Sequence, residues 1–321
     1  MKVGVVAGKF APLHRGHQHV IERGLGEVDE LFVAVYDTPG YAPPVEKRAA
    51  WVRTLYPGAK VLVLPDPAPE GSDEDVSEAY ARHFLQHHRG PVTHVFSSED
   101  YGERFARHLG ATHVAVDPER RQVPVSGTAI RSDPRAWREF VEPIVYRDLV
   151  RRVCFTGAES TGKTTLAAAM AERLETRWMP EYGRELFEER GGKLDLEDFL
   201  TIGHEHLRRE EELALESDRY LFCDTNALAT IFWCRFYCGR VDPALEALAG
   251  EVAADYDYVL CLTDIPWHQD GWRETGGGEL WDEHQAEIKG DLEQRGLAYV
   301  EVGGSLDERM GAVESWLSGQ S

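Results

Sequence analysis

Gly157-Ala158-Glu159-Ser160-Thr161-Gly162-Lys163-Thr164 places two glycines around four residues and follows them with Lys and Thr, the phosphate-loop pattern. A short apolar run, Val153-Cys154-Phe155-Thr156, precedes it, and a helical pattern from Leu166 to Leu174 follows it. Strand, glycine loop and helix is the setting that makes the motif informative. The loop amides and the helix N-terminus cradle phosphate oxygens. Gly157, Glu159, Ser160, Thr161, Gly162, Lys163, Thr164 and Thr165 are therefore nucleotide-binding candidates. Lys163 would reach the β/γ-phosphates and Thr164 would ligate Mg²⁺. About 150 residues precede this loop, enough for another domain.

Outward from the loop, the chain of 321 residues reads as two domains, and its 42% hydrophobic content can fill two cores. The net charge of −21 excludes a broad nucleic-acid surface but not nucleotide substrates, which local cations and amides bind. The five cysteines, at 154, 223, 234, 238 and 261, lie mostly in apolar runs and read as buried thiols of a reducing cytoplasm. The histidines at 83, 87 and 88, and at 204 and 206, read as exposed helix faces rather than as a metal site. No apolar run approaches the ~20 residues of a membrane span, and the chain begins on a strand pattern. The expectation is a cytoplasmic protein with no membrane insertion, for which a homo-oligomer stays open.

Strands alternate with helices along both halves. In the first, Lys2–Ala7, Leu31–Tyr36, Lys60–Leu64, Val92–Phe96 and Thr112–Val116 read as strands, with helices at His17–Glu27, Glu46–Tyr56, Asp75–His88 and Gly102–Leu109. Pro65 to Asp75 reads as a loop. In the second, the strands are Arg152–Thr156, Tyr220–Asp224, Asp257–Leu262 and Ala298–Val302, with a long helix over Leu196–Glu216. This alternation implies an α/β protein of two doubly wound parallel sheets, over residues 1–148 and 149–321. Ligands then belong at the carboxyl ends of the strands.

The first strand runs into Gly8-Lys9-Phe10-Ala11-Pro12-Leu13-His14-Arg15-Gly16-His17. Two histidines open a helix, where anions are favoured, and Gly16 lets a phosphate approach the backbone. A second cluster, Ser126-Gly127-Thr128-Ala129-Ile130-Arg131, puts hydroxyls at a helix start with a cation one turn on. Two anion cradles in one domain imply one triphosphate held at both ends. The pair of motifs resembles the nucleotidyltransferase superfamily with a His-x-Gly-His and a later Ser-x-Thr-x-Ile-Arg signature, which has a Rossmann-like fold. That resemblance implies transfer of AMP from ATP to a phosphate, a nucleophile already ionised at pH 7 that needs no general base. His14 and His17 would contact the α- and β-phosphates, Lys9 and Arg131 would stabilise the leaving group, and Thr128, beside Ser126, would hold the β/γ end. Gly8, Phe10 and Gly16 complete the nucleotide site, and Ser97, Ser98 and Glu99 would line the adenosine pocket. Arg48 would meet the acceptor phosphate; Trp51 would stack on its base or pack against the sheet.

In the second half the expected nucleophile is a sugar hydroxyl, a poor one whose proton a carboxylate normally accepts. Asp224 ends a strand and fits either the Mg²⁺ or the base, with Glu181, Tyr182 and Arg184 holding the acceptor; the reverse assignment fits as well. A third segment, Asp264-Ile265-Pro266-Trp267-His268-Gln269-Asp270-Gly271-Trp272-Arg273, follows the strand Asp257–Leu262 of the second half. There Trp267 would stack on a flat ring, Asp270 would bind a ribose diol and Arg273 a phosphate, with the following glycines as a lid.

The whole arrangement resembles the bifunctional NadR family, in which a nicotinamide mononucleotide adenylyltransferase is followed by a ribosylnicotinamide kinase. Gly8–His17, Ser97–Glu99, Asp117-Pro118-Glu119-Arg120, Ser126–Arg131, Gly157–Thr165, Glu181–Arg184 and Pro266–Arg273 carry it, in that order. The resemblance implies that nicotinamide riboside and ATP give the mononucleotide (NMN), and that NMN and ATP give NAD and pyrophosphate, with Mg²⁺ in both steps. It implies a form without the DNA-binding helix-turn-helix of enterobacterial relatives. Gly276 to His284 carries no cation where relatives place arginines, so Arg273 or Arg295 would have to substitute. Two other readings are an adenylyltransferase and a kinase for another small phosphate acceptor, and a nucleotide sensor whose kinase half is silent.

Overall fold

In the computed structural model, which describes residues 1–67, 71–269 and 277–319, the chain divides into two units, Met1–Leu149 and Val150–Ser321. Each builds one sheet of five strands, all parallel. The α/β, doubly wound expectation therefore holds for both.

The first unit runs β1 (Val3–Gly8), α1 (Arg15–Glu27), β2 (Glu30–Asp37), α2 (Val45–Leu55), β3 (Lys60–Pro65), α3 (Asp73–His87), β4 (His94–Ser97), α4 (Tyr101–Leu109), β5 (Thr112–Ala115), α5 (Gly127–Ser132) and α6 (Pro143–Leu149). The strand order is β3-β2-β1-β4-β5. The chain winds one way from β1 to β3 and then crosses back to β4, so the switch point lies between β1 and β4. Helices cover both faces, which is why β1 and β2 are near-continuous apolar runs rather than alternating ones. Val5, Ala34, Phe84, Val95 and Phe105 form the core on one face of this sheet.

The second unit runs β6 (Arg151–Thr156), α7 (Lys163–Arg173), β7 (Arg177–Met179), α8 (Tyr182–Glu189), α9 (Leu196–Ala214), β8 (Tyr220–Asp224), α10 (Ala227–Cys238), α11 (Pro243–Val252), β9 (Tyr256–Cys261), α12 (Glu279–Gln294), β10 (Tyr299–Val302) and α13 (Leu306–Gly319). The order β10-β9-β6-β8-β7 puts β6 at the switch point, between β8 and β9. Phe155, Leu166, Met170, Phe222 and Val313 pack against one another there.

Two local expectations change. α3 starts at Asp73, not Asp75, because the Ser72 hydroxyl caps it and Asp75 returns the bond; the acidic run read as loop is the helix's first turn, where carboxylates oppose the helix dipole. His206 is not on an exposed face. It is 1% exposed and its Nδ1 lies 2.8 Å from Glu210 Oε1, itself fully buried. All five cysteines are free thiols, four of them buried. Among the described residues no helix is long and apolar enough to cross a membrane.

Candidate functional site

In the first unit the crevice at the switch point is a cavity of about 600 Å³. Every residue expected from the two signatures and from Ser97–Glu99 lines it. His14 caps α1, its Nδ1 accepting the Gly16 N–H at 3.1 Å and the His17 N–H at 3.4 Å. A ring nitrogen that accepts carries no proton, so the proton of neutral His14 sits on Nε2. The His17 ring stacks on His14 with centroids 3.8 Å apart and meets Phe10 edge-on at 5.0 Å. Burial, then Arg120 and Arg131, lower His14 to about 4. Burial, then His14 and Arg120, push His17 well below its usual value, although a bond to the Pro12 carbonyl pulls the other way. Both rings are thus neutral: His14 can donate from Nε2–H, whereas the single N–H of neutral His17 goes to the Pro12 carbonyl. A Cβ on Gly16 would stand 3.0 Å from the His14 ring, so a side chain there would press on the ring that caps α1.

The Arg131 guanidinium donates to the Ala11 carbonyl and, at 3.1 Å, to Thr128 Oγ1. The Ser126 hydroxyl accepts the Ala129 N–H and caps α5. Lys9 and Arg131 both lie over the Tyr41 ring, at 4.5 and 5.1 Å from its centroid. Glu99 pairs with Arg120 at 3.4 Å. Sequence reasoning missed Tyr41, which has no local motif. It quoted Asp117 and Arg120 without roles. The Asp117 carboxylate accepts the N–H groups of Arg121, Gln122 and Val123 and so shapes the turn that carries Arg120 to the cavity.

Arg48 and Trp51 do not reach the cavity wall. Arg48 is fully buried and donates to the carbonyls of Pro43, Tyr36 and Lys9. It ties the β1–α1 loop, the end of β2 and the β2–α2 loop together beneath the site instead of meeting an acceptor. Trp51 is 1% exposed and donates to Asp148 at 2.7 Å, so it packs rather than stacks on a base.

In the second unit the phosphate loop joins β6 to α7. Gly157 has φ +135°, and a Cβ there would stand 2.7 Å from the Cys261 carbonyl, so a side chain cannot be accommodated. Lys163 donates to the Gly157 and Ala158 carbonyls at 3.0 and 2.8 Å. Thr161 is fully buried and donates to the Ala158 carbonyl, so it and Gly157 shape the loop without lining a cavity. Glu159, Ser160, Gly162, Lys163, Thr164 and Thr165 do line one, of about 170 Å³, together with Glu181 and Arg184.

Thr164 Oγ1 donates to Asp224 Oδ2 at 2.5 Å. Asp224 Oδ1 is buried with no hydrogen-bond partner. A hydroxyl beside a carboxylate with a spare oxygen is the donor set a hard cation takes, so these residues fit Mg²⁺. Among the described residues no group of three or more His, Cys, Asp or Glu could hold a metal by itself. Burial raises the Asp224 carboxyl, against Lys163 and Thr164. Glu181 is raised by burial and then by Asp224, against Lys163 and Arg184.

Four aromatic side chains also line this cavity: Phe187 from α8, Phe199 from α9, and Trp233 and Tyr237 from α10. The Tyr237 ring lies 5.7 Å from Phe187, 6.2 Å from Phe199 and 6.2 Å from Trp233. Sequence reasoning missed this box because its members come from three helices; the Trp233–Tyr237 spacing was its only local trace. Tyr182 is not on the wall, and its ring lies under the Arg209 guanidinium at 4.3 Å. Trp267 is half-buried and does not line the cavity. Asp270 and Arg273 lie outside the described residues.

Comparison with known proteins gives consistent neighbours. The AAA domain family matches residues 152–309. The trifunctional NAD biosynthesis/regulator protein NadR of Escherichia coli K12 is 29% identical over 94% of this chain and 78% of its own length. That of Salmonella typhimurium LT2 is equally identical over the same shares. A phosphopantetheine adenylyltransferase of Fusobacterium nucleatum is 36% identical over 21% of the chain and 43% of its own length. Crystal structures of NadR, one with NAD and AMP-PNP and one with NR, superpose with TM-score 0.63 at 21% identity, covering 99% of this chain and 96% of theirs.

Proposed function

The chain is a homologue of NadR along 94% of its length, and on that premise we propose that it makes NAD in two steps. The C-terminal unit phosphorylates nicotinamide riboside with ATP to give NMN, and the N-terminal unit adenylates NMN to NAD. The observation that carries the reading is the presence, in one chain, of a neutral histidine stack at one sheet's switch point and a phosphate loop with its Thr164–Asp224 pair at the other's.

In the N-terminal unit an oxygen of the NMN phosphate attacks the α-phosphorus of ATP, and pyrophosphate leaves with the bonding electrons. No proton has to be removed, so alignment and charge neutralisation carry the rate. His14 Nε2–H donates to the phosphates and His17, stacked on it, contacts them, while Lys9 and Arg131, with Thr128, meet the charge that grows on the leaving group. Gly8, Phe10 and Gly16 give the triphosphate room, Ser97–Glu99 face the nucleoside, and Ser126 stands beside Thr128 at the start of α5. Tyr41 gathers the two cations on one ring.

In the C-terminal unit the riboside hydroxyl attacks the γ-phosphorus and ADP leaves. Glu181 is the base, since it lines the acceptor cavity and Asp224, engaged with Thr164, does not. A carboxyl raised by burial is a stronger proton acceptor than an exposed one. Arg184 holds the acceptor from the same wall, and the aromatic box takes its flat ring. Thr164 and Asp224 would hold Mg²⁺, which supplies neutralising charge to the phosphates when bound. Lys163 leaves its loop carbonyls for the β/γ-phosphates. Asp270 and Arg273 keep their proposed places on ribose and phosphate.

Incubating the pure protein with nicotinamide riboside, Mg²⁺ and ATP and weighing the products tests this. The expected products are ADP, NMN, NAD and pyrophosphate; ATP consumed without NMN or NAD would refute it.

A further inference from the structure

Four consecutive residues of the phosphate loop are each held by a group from the chain beyond β9. The Ala158 N–H donates to Gln285 Oε1 at 2.8 Å, and the Glu159 carbonyl accepts from Trp281 Nε1 at 2.6 Å. Ser160 Oγ accepts the His268 N–H at 2.8 Å, and the Thr161 carbonyl accepts from Arg309 Nη1 at 2.7 Å. Gln285 does more than the others. Its Nε2 also donates at 3.0 Å to the carbonyl of Cys261, the last residue of β9. One side-chain amide thus ties the loop's second residue to the neighbouring strand. The fit is close, since a Cβ on Gly157 would stand 2.7 Å from that carbonyl and 3.2 Å from Gln285 Oε1.

A glycine loop has little stiffness of its own, with Gly157 and Gly162 both at positive φ. Its amides must converge before the phosphate arrives, or ordering them weakens binding. We propose that Gln285 is a positioning residue for the nucleotide: by taking the Ala158 amide and the Cys261 carbonyl together it fixes the first turn of the loop and leaves the later amides to the phosphates. Gln285 does not line the acceptor cavity, so its action falls on ATP and not on the acceptor. The proposal rests on the phosphoryl-transfer reading of this unit.

Gln285→Met keeps the bulk of the side chain and removes both hydrogen bonds; Gln285→Ala removes the bulk as well. In the full chain, ADP release with riboside reports the C-terminal unit, and pyrophosphate release with NMN reports the N-terminal one. Loss of the bonds is expected to raise KM for ATP in ADP release about five- to tenfold, with KM for riboside and the rate of pyrophosphate release unchanged. An unchanged KM for ATP in Gln285→Met overturns the proposal, and so does a rise in KM for riboside instead. A merely structural role would lower thermal stability and kcat without separating the two KM values. ADP binding by calorimetry, taking the component that Lys163→Ala abolishes, separates this proposal from its premise. If the native protein releases no ADP with riboside, the phosphoryl-transfer reading falls; weaker ADP binding in Gln285→Met still upholds the role of Gln285, and unchanged binding overturns it.

Discussion

Burial, reinforced by Arg120 and Arg131, holds His14 at about 4, and His17 lies well below its usual 6.5 for the same leading reason. The unfolded chain binds protons first as the pH falls through 6.5, so the N-terminal unit loses stability from there down towards 4. Above that window both rings stay neutral. The value of kcat/KM for ATP in pyrophosphate release is therefore expected to be flat through neutral pH, and a titration step centred at the ordinary histidine value would show that one ring charges. His17→Ala should slow NAD formation from NMN about 10²–10³-fold, and normal rates would remove it from the site. Glu181 has the opposite sign. Its carboxyl is raised by burial and by Asp224, so the folded state favours the protonated form. Stability is lost as the pH rises from the unfolded value through the folded one, and at neutral pH the buried charge is a cost that glutamine does not carry. Glu181→Gln is expected to abolish ADP release while raising the thermal midpoint of the C-terminal unit by about 2–4 °C, the response to ~1 kcal/mol at this size. A lower midpoint would show that the carboxylate is held by its cations and is not strained by burial.

The loops between β1, β2 and α2 depend on one buried cation. Arg48 donates to carbonyls of Lys9, Tyr36 and Pro43, so Arg48→Met would leave three acceptors without their donor. Unfolding of the N-terminal unit should become about 3 kcal/mol easier and pyrophosphate release should fall, with ADP release kept; an unaffected denaturation midpoint would refute the bracing role. Arg48 also shows what the sequence could not say. The strands β1, β2, β6 and β8 were legible because sheets covered on both faces leave long apolar runs. The phosphate loop and the His14–His17 turn were legible because glycine and polar residues at fixed offsets serve backbone geometry that few other sequences can adopt. The direction of a side chain on α2 depends on what packs over it, which no local spacing records, so the sequence points Arg48 at a ligand and leaves Trp51 open between a ligand and the sheet. Tyr182 likewise lies against Arg209 on the neighbouring α9 and not on the cavity wall. Phe187, Phe199, Trp233 and Tyr237 escaped notice because they meet only once three helices are packed.

The molecule combines two sheets, each with its own switch point and its own cavity. A chain of net charge −21 still assembles cations where they are needed, Lys9, Arg120 and Arg131 in one unit and Lys163 and Arg184 in the other. Local placement, not overall charge, governs anion binding at this range, because screening leaves distant carboxylates little influence. The two leaving groups differ, so each half can be read without separating them: pyrophosphate from the histidine site, ADP from the phosphate loop. Lys163→Ala removes the lysine of the phosphate loop and leaves every residue of the first cavity in place. ADP release with riboside should fall by about 10²-fold or more, while NMN and ATP should still give NAD at close to the native rate. Fed riboside, that variant should make almost no NAD, and adding NMN should restore it. An equal loss of both products would mean that one nucleotide site serves both steps, and the assignment of a separate chemistry to each sheet would fail.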